Sequence, residues 1–334
     1  MTRKEFIGVA AGAAAFAAIP SSGLLAAQGS QPSTAGKIKR GVSVYSYSGL
    51  LNWNMTMEDC FSEIADTGAP GLEILANGHI EGYPNPTDEW LEWWQTMMKK
   101  YNLVPVEYGH WVDSRRHKGR ELTTQESYDM LVRDIKLAHK LGFTVGRTKL
   151  GVIDRPGTPS YDTLTPVLNW KELIEMALPI AEENNFVMCP EIHAPTLLNS
   201  KMIAEYVDFI DKTKTKNFGL NIDFGVFQNK PRPQQPGAQP ATGMQSRPLV
   251  FSKPEEIVPL LPYVYCCHAK FVDINEECVD STTPYGEVID LMVKNNWSGY
   301  LLSEYEGASK DVPGYAPDQV RRQHVYLKKL LGEA

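Results

Sequence analysis

The sequence predicts a (β/α)8 barrel, an α/β single-domain fold. Three observations point to it. Short apolar runs alternate with helical segments along the chain, eight such pairs can be counted, and no glycine-rich phosphate turn follows the first run. Strict alternation implies parallel strands joined by helical crossovers. A chain of 334 residues holds eight such units at the usual barrel length. A doubly wound open sheet would place a glycine-rich turn after strand one, and "SYSGLLN" is not that turn.

The pairs run in order. "IKRGVSVYSYS" (38–48) is strand one, and "MEDCFSEIADTG" its helix. "GLEILA" (71–76) precedes "TDEWLEWWQTMMKKYN", where Thr87 is placed to cap the helix N-terminus. "VPVEYGHW" (104–111) precedes "TQESYDMLVRDIKLAHKLG", with Gly142 as its stop. "TVGRTKLG" (144–151) leads to "NWKELIEMALPIAEENN", and "FVMCPEIH" (186–193) to "NSKMIAEYVDFIDKTK". "FGLNIDFGVF" (218–227) is followed by a Pro-, Gln- and Gly-rich insertion (228–248) and then the helix "KPEEIVPLLPYV". "YCCHAKFVDI" (265–274) and "GYLLSEYEG" (299–307) complete the strands, with "YGEVIDLMVKNN" and "DQVRRQHVYLKKLL" as their helices. The strands are short apolar runs; the helices carry apolar residues three and four apart. The insertion follows a strand, so in a barrel it lies on the catalytic face, as a lid or a contact in a homo-oligomer.

The first thirty residues differ from the rest. "MTRKEFIGVAAGAAAFAAIPSSGLLAAQGS" has a basic start, an alanine-rich apolar stretch and small residues near Ala26, which reads as an export signal over residues 1–30. "TRKEF" resembles a twin-arginine signal with Arg3-Lys4 in place of two arginines. The expectation is an exported, periplasmic protein; a twin-arginine route would carry it out already folded, and the departure at Arg3-Lys4 leaves an ordinary secretory signal or a lipid-free anchor as alternatives. The stretch is too weakly apolar for a stable membrane span. Residues 31–37 form a polar linker, and the barrel occupies 38–334. A net charge of -7 argues against a nucleic-acid partner, which would require a basic face. The five cysteines match no zinc or redox spacing and are expected as small core residues.

In a barrel, chemistry sits at the C-terminal ends of the strands. Glu191, Asp223, His268 and Glu304 occupy four successive strand ends, 32, 45 and 36 residues apart, close to one strand–helix unit each. The middle gap is the longest because it holds the insertion. Neighbouring strands lie about 5 Å apart, so these side chains can converge on one cation. Three carboxylates and an imidazole make a hard site that favours Mn²⁺, with Mg²⁺, Co²⁺ or Zn²⁺ as alternatives. Residues two apart share a strand face, which gives the ligands polar neighbours: His193, Asn221, Lys270 and Glu306. Glu107, His110 and Trp111 on strand three and Arg147 on strand four are further candidates for substrate contact. His79, His117, His139 and His324 read as loop or helix surface residues.

"CPEIHAP", "GLNIDFG", "CCHAKFVD" and "YLLSEYEG" together resemble the metal motifs of the xylose isomerase-like barrel superfamily, which includes sugar isomerases, epimerases and endonuclease IV-type enzymes. The resemblance covers residues 38–333. In its epimerase branch the residues matching Glu191 and Glu304 bind metal and move protons, while those matching Asp223 and His268 are ligands only. Epimerases commonly carry a histidine where this chain has Val226, and the endonucleases use more histidines than this chain offers. The resemblance implies a metal-dependent sugar isomerase or epimerase working through an enediolate. Two alternatives stand beside it: a lyase that cleaves 3-keto-glycosides, paired in function with a sugar oxidoreductase, and a carbohydrate-binding protein with a degenerate site.

Overall fold

Local capping chemistry sets where the elements begin, and the sheet register then aligns their ends. The computed structural model describes residues 38–111, 122–150, 170–231 and 250–333. The expected signal (1–30), the linker (31–37), His117 and most of the 228–248 insertion lie outside the described residues. β1 (Lys39–Ser43) runs into a single 3-10 turn (Val44–Tyr47), in which the Ser43 hydroxyl accepts from the Tyr45 N–H. α1 (Met57–Asp66) starts at a reciprocal cap between Thr56 and Asp59. β2 (Gly71–Leu75) leads to a one-turn helix, α2 (Ala76–His79), and then to α3 (Asp88–Lys100), which Thr87 caps as expected. Each cap satisfies amides that the first helical turn leaves unpaired.

β3 (Val104–Trp111) is followed by α4 (Thr124–Leu141), which ends at Gly142 in the left-handed region, φ 90°. β4 (Val145–Lys149) precedes α5 (Trp170–Glu183). The fifth predicted strand is divided at Pro190 into β5 (Val187–Cys189) and β6 (Glu191–Ile192), because proline has no N–H to give the ladder. α6 (Lys201–Thr213) and β7 (Leu220–Asp223) follow, and β7 ends in a 3-10 turn (Phe224–Phe227). The next crossover is a 3-10 helix (Pro254–Tyr263) where the sequence predicts an α-helix. Pro259 and Pro262 remove two donors and disfavour the α-form. β8 (Val264–Phe271), α7 (Tyr285–Lys294), β9 (Tyr300–Tyr305) and α8 (Tyr315–Leu331) complete the chain.

All strand pairs are parallel, in the order β5-β4-β3-β2-β1-β9-β8-β7-β6. The two ends of that order are the two halves of one stave. Met188 and Pro190 bond to Asn217, Gly219 and Asn221 beside and within β7, which closes the cylinder. The eight predicted staves and the (β/α)8 barrel are therefore present. The main apolar core lies between barrel and helices, with Trp170 packed on Tyr206, Phe209 and Phe218 as one aromatic centre. The strand interior toward the C-terminal ends is polar, and this is what positions the site.

Gly41 illustrates how tightly the staves fit. A Cβ there would lie 2.7 Å from the Gly71 carbonyl oxygen and 2.7 Å from a Leu302 methyl. Gly41→Ala should lower unfolding free energy by about 1–3 kcal/mol, the usual cost of overpacking. An unchanged urea midpoint would show that β1 and β2 are not so close.

Two of the histidines expected on the surface are buried. His324 accepts from Arg40 Nη1 at 2.8 Å through Nδ1, so its proton sits on Nε2, 3.0 Å from the Ser303 hydroxyl. Burial, then the Arg40 charge, brings it down to about 3. Burial likewise brings His79 and His110 down to about 4 each. In the unfolded chain these rings titrate near ~6.5. Below that pH the unfolded state takes up protons that the folded state refuses. Stability present at pH 7 is therefore lost as pH falls from about 6.5 toward 4. Urea midpoints should fall from pH 7 through 6 to 5, with a shallower slope in His324→Gln; parallel slopes in the two proteins would contradict the assignment.

Candidate active site and metal centre

The register brings the predicted ligands to one level. Asp223 aligns with His268, Lys270 with Glu304, and Glu191 with Asn221 on the neighbouring stave. One ligand atom from each of Glu191, Asp223, His268 and Glu304 lies within 4.8 Å of the others. Asp223 and His268 are fully buried and Glu304 is 3 % exposed. The cluster sits at the C-terminal ends of β6 to β9.

His268 stands at its centre. One ring nitrogen, Nδ1, is 3.0 Å from Glu191 Oε1 and 3.5 Å from Glu304 Oε2. The other, Nε2, donates to Glu107 Oε2 at 2.9 Å and lies 3.4 Å from Glu73 Oε2. Burial alone would lower the ring's affinity for a proton, but Glu73, Glu304 and Glu107 outweigh it and raise that affinity well above the ordinary imidazole value. The pocket thus draws in positive charge. Five carboxylates, those of Glu73, Glu107, Glu191, Asp223 and Glu304, face two permanent cations, Arg147 and Lys270, and this one imidazole.

The donor set fits a divalent cation. Glu304 Oε2 is buried without a hydrogen bond and Asp223 Oδ2 has only its ion pair with Lys270, at 3.1 Å, and a divalent cation would relieve both. The other Asp223 oxygen is committed to the Gly225 amide at 2.6 Å, which turns Oδ2 to the cluster. Three oxygens and one nitrogen form a hard set. Beneath it, Glu107 accepts from His268, from Asn221 Nδ2 at 2.9 Å and from Cys266 Sγ at 3.2 Å. That arrangement holds the ring with Nδ1 toward the other ligands. Cys266 is therefore a donor to a carboxylate, whereas Cys189 and Cys267 are buried core thiols as expected.

The structure brings together most of the remaining candidates. Arg147 Nη1 donates to Glu191 Oε2 at 3.0 Å. Lys270 Nζ bridges Asp223 at 3.1 Å, Glu306 at 2.8 Å and Glu304 at 3.8 Å. His193 is half-buried, and its charge acts on Glu191. His110 is not brought to the site. It lies three residues from Glu107, so it faces the opposite side of β3. There it meets Thr148 at 2.9 Å and stands 4.0 Å from Asp134 of α4. Trp111 ends β3, and its side chain lies outside the described residues.

Three mouth residues escaped the sequence analysis. Tyr45, in the turn after β1, has a phenol acted on by Glu306, Glu304, Lys270 and Arg147. Lys310, after β9, donates to the Tyr45 carbonyl at 3.0 Å and stands over its ring at 3.6 Å from the centroid; burial brings it down to about 8. His79 follows β2 and is buried, not exposed. The only signal for any of them was position: each closely follows a strand.

Residues 61–330 match the family model described as the xylose isomerase-like TIM barrel. The chain belongs to that family. Among xylose isomerase-like barrels it is similar to the C-glycoside deglycosidase alpha subunit of Arthrobacter globiformis, with 27 % identity over 89 % of this chain and 93 % of that one. It is also similar to the 3'-dehydrocarminate deglycosidase alpha subunit of a Microbacterium species, with 22 % identity over 88 % of this chain and 95 % of that one. In fold it matches the D-psicose 3-epimerase of Clostridium cellulolyticum H10, with a TM-score of 0.60 and 14 % identity, covering 89 % of this chain and 100 % of that one. These comparisons support an enzyme of a sugar-modifying family.

The hold of Glu107 on His268 has a measurable consequence. Glu107→Gln leaves all four ligand atoms in place yet should weaken Mn²⁺ binding about 10–100-fold, read by competition with a chelator. Unaltered affinity would show that the ring needs no such partner.

Proposed function

We propose that the protein is a divalent-metal-dependent lyase that cleaves a 3-keto-glycoside. The observation that carries this is the convergence of the Glu191, Asp223, His268 and Glu304 ligand atoms within 4.8 Å. Two further points favour cleavage over epimerisation. The relatives that align over most of their length are named deglycosidase subunits. The position where epimerases commonly carry histidine holds Val226, 1 % exposed, which offers no polar contact.

Bound by the four ligands, a cation, Mn²⁺ by preference, would act as a Lewis acid toward the negative charge that develops on the substrate's keto oxygen. The chain's residues then divide the work. Glu304 Oε2 faces the ligand cluster, but among the described residues no hydrogen bond engages its Oε1, while both oxygens of Glu191 are engaged, by His268 and by Arg147. Glu304 therefore takes the proton from the carbon beside the keto group. The electron pair of that C–H bond forms a carbon–carbon double bond as the bond to the aglycone breaks. The aglycone gains a proton from a group outside the ligand set. Lys270 and His193 both stand in the mouth for this step, and single variants separate them. Arg147 orients Glu191 and the substrate oxygens near it.

The named relatives are alpha subunits, and we extend to this chain a partner subunit and a sugar oxidoreductase that supplies the keto group. The basic, alanine-rich N-terminus supports export to the periplasm. Epimerisation is the second reading, favoured by the pairing of Glu191 and Glu304 around one imidazole.

Mn²⁺-loaded protein should release the aglycone from a 3-keto-glycoside and leave the parent glycoside intact. Glu304→Gln should lose about 10²–10⁴ in rate, the range of a general base. Solvent deuterium entering a recovered free ketose, with no aglycone released from the keto-glycoside, would favour the epimerase instead.

A further inference from the structure

His79 stands at the mouth with no role in the chemistry above. It ends the one-turn helix that follows β2, at the C-terminal end of its stave, and is 8 % exposed. Its Nδ1 accepts the Leu75 backbone N–H at 2.9 Å. A backbone amide can only donate, so Nδ1 carries no proton, and the proton of the neutral ring is fixed on Nε2. Burial, then the charges of Arg147 and Lys310, keep a second proton off the ring until the pH falls to about 4. Those two cations belong to β4 and to the loop after β9, on either side of β2, so the ring lies within reach of both charges at this end of the barrel. Among the described residues none accepts the Nε2–H, and that nitrogen is not sealed from solvent.

The barrel geometry says what that donor faces. β2 is the second stave and β7, which carries Asp223, is the sixth, so the two lie across the cylinder from each other. A sugar held at the β6–β9 carboxylates would have its far edge on the β2 side. The cations on that side are already engaged: Arg147 with Glu191, and Lys310 with the Tyr45 carbonyl and the Ser48 hydroxyl. A neutral N–H can bind a hydroxyl oxygen there without adding charge that would compete with a metal for the carboxylates.

We propose that His79 is a substrate-contacting residue that donates its Nε2–H to an oxygen of the bound glycoside, on the side of the mouth facing the metal ligands. The ligand class rests on the keto-glycoside reading given above; the tautomer and the donor do not.

The test uses the full-length Mn²⁺-loaded protein, with Zn²⁺ in its place for NMR, and methyl 3-keto-glucoside as the probe. His79→Phe should weaken binding about tenfold, as expected for one hydrogen bond, and leave Mn²⁺ affinity unchanged. His79→Gln, which keeps an N–H near the same point, should recover part of the loss. Among monodeoxy analogues of the probe, one should bind weakly to the wild-type protein and lose nothing more in His79→Phe. Histidine ¹⁵N shifts at pH 6.5 should show a neutral Nε2–H ring that responds to ligand. A charged ring, an Nδ1–H tautomer, or an equal loss for every analogue in both proteins would overturn the assignment. If the wild-type protein binds no keto-glycoside, the substrate reading fails on its own. The donor then stands or falls by whether the His79 Nε2–H resonance shifts when the protein is saturated with a free ketohexose such as D-psicose.

Discussion

The structure depends on keeping five carboxylates out of water at one end of a parallel barrel. Removing such groups from solvent costs several kcal/mol each unless charge and hydrogen bonds replace the water. Here the replacement is built in tiers. Glu107 is held by Asn221, Cys266 and His268, Glu191 by Arg147, and Asp223 by its own turn and by Lys270. What the tiers leave without a hydrogen bond includes Glu304 Oε2 in the ligand cluster and both oxygens of Glu73 on the other side of His268. The residual need for positive charge is therefore concentrated around the His268 ring. A rigid set of staves is required for that: a β-strand fixes where its side chains point, and the register fixes their height.

Part of this was legible from the sequence and part was not, for reasons that can be named. The four ligands were visible because a barrel repeats one unit per stave, so ligand-type residues at unit spacing must share a rim. The polar neighbours Asn221 and Lys270 followed from the two-residue period. The same period could have separated Glu107 from His110, three apart on β3. One faces the barrel interior and the other faces Asp134 of α4. The break at Pro190 was visible as a residue, but its consequence was not, because closure needs hydrogen bonds joining Met188 and Pro190 to the distant segment that enters β7. Tyr45, His79 and Lys310 sit in turns or a one-turn helix, too short for a periodicity to fix the direction of a side chain. Their roles come from the folding back of the chain after the strand has ended.

The tier beneath the ligands also bears on how the site tolerates its own charge. His268 is gripped on both sides, by Glu191 and Glu304 above and by Glu107 and Glu73 below. A ring held this way can present Nδ1 to a cation while Nε2–H remains bonded to Glu107, so exchanging a proton for a metal ion disturbs only one face. The apolar core outside the barrel plays no direct part in this exchange. It keeps β6 to β9 in register, and Trp170 with its aromatic neighbours holds α5 and α6 behind that side of the cylinder.

The mouth is chemically lopsided, and this limits what it can bind. On the β6 to β9 side the described inner surface is rich in carboxylate acceptors, with Lys270 as the donor between them. On the β1, β2 and β4 side it offers donors: the Tyr45 phenol, the His79 N–H and Arg147. Val226, buried on the turn after β7, removes polarity from the acceptor side at a place where epimerases commonly carry a histidine. A ligand matched to the described residues of this mouth presents a chelating pair of oxygens to one wall and an acceptor oxygen to the other.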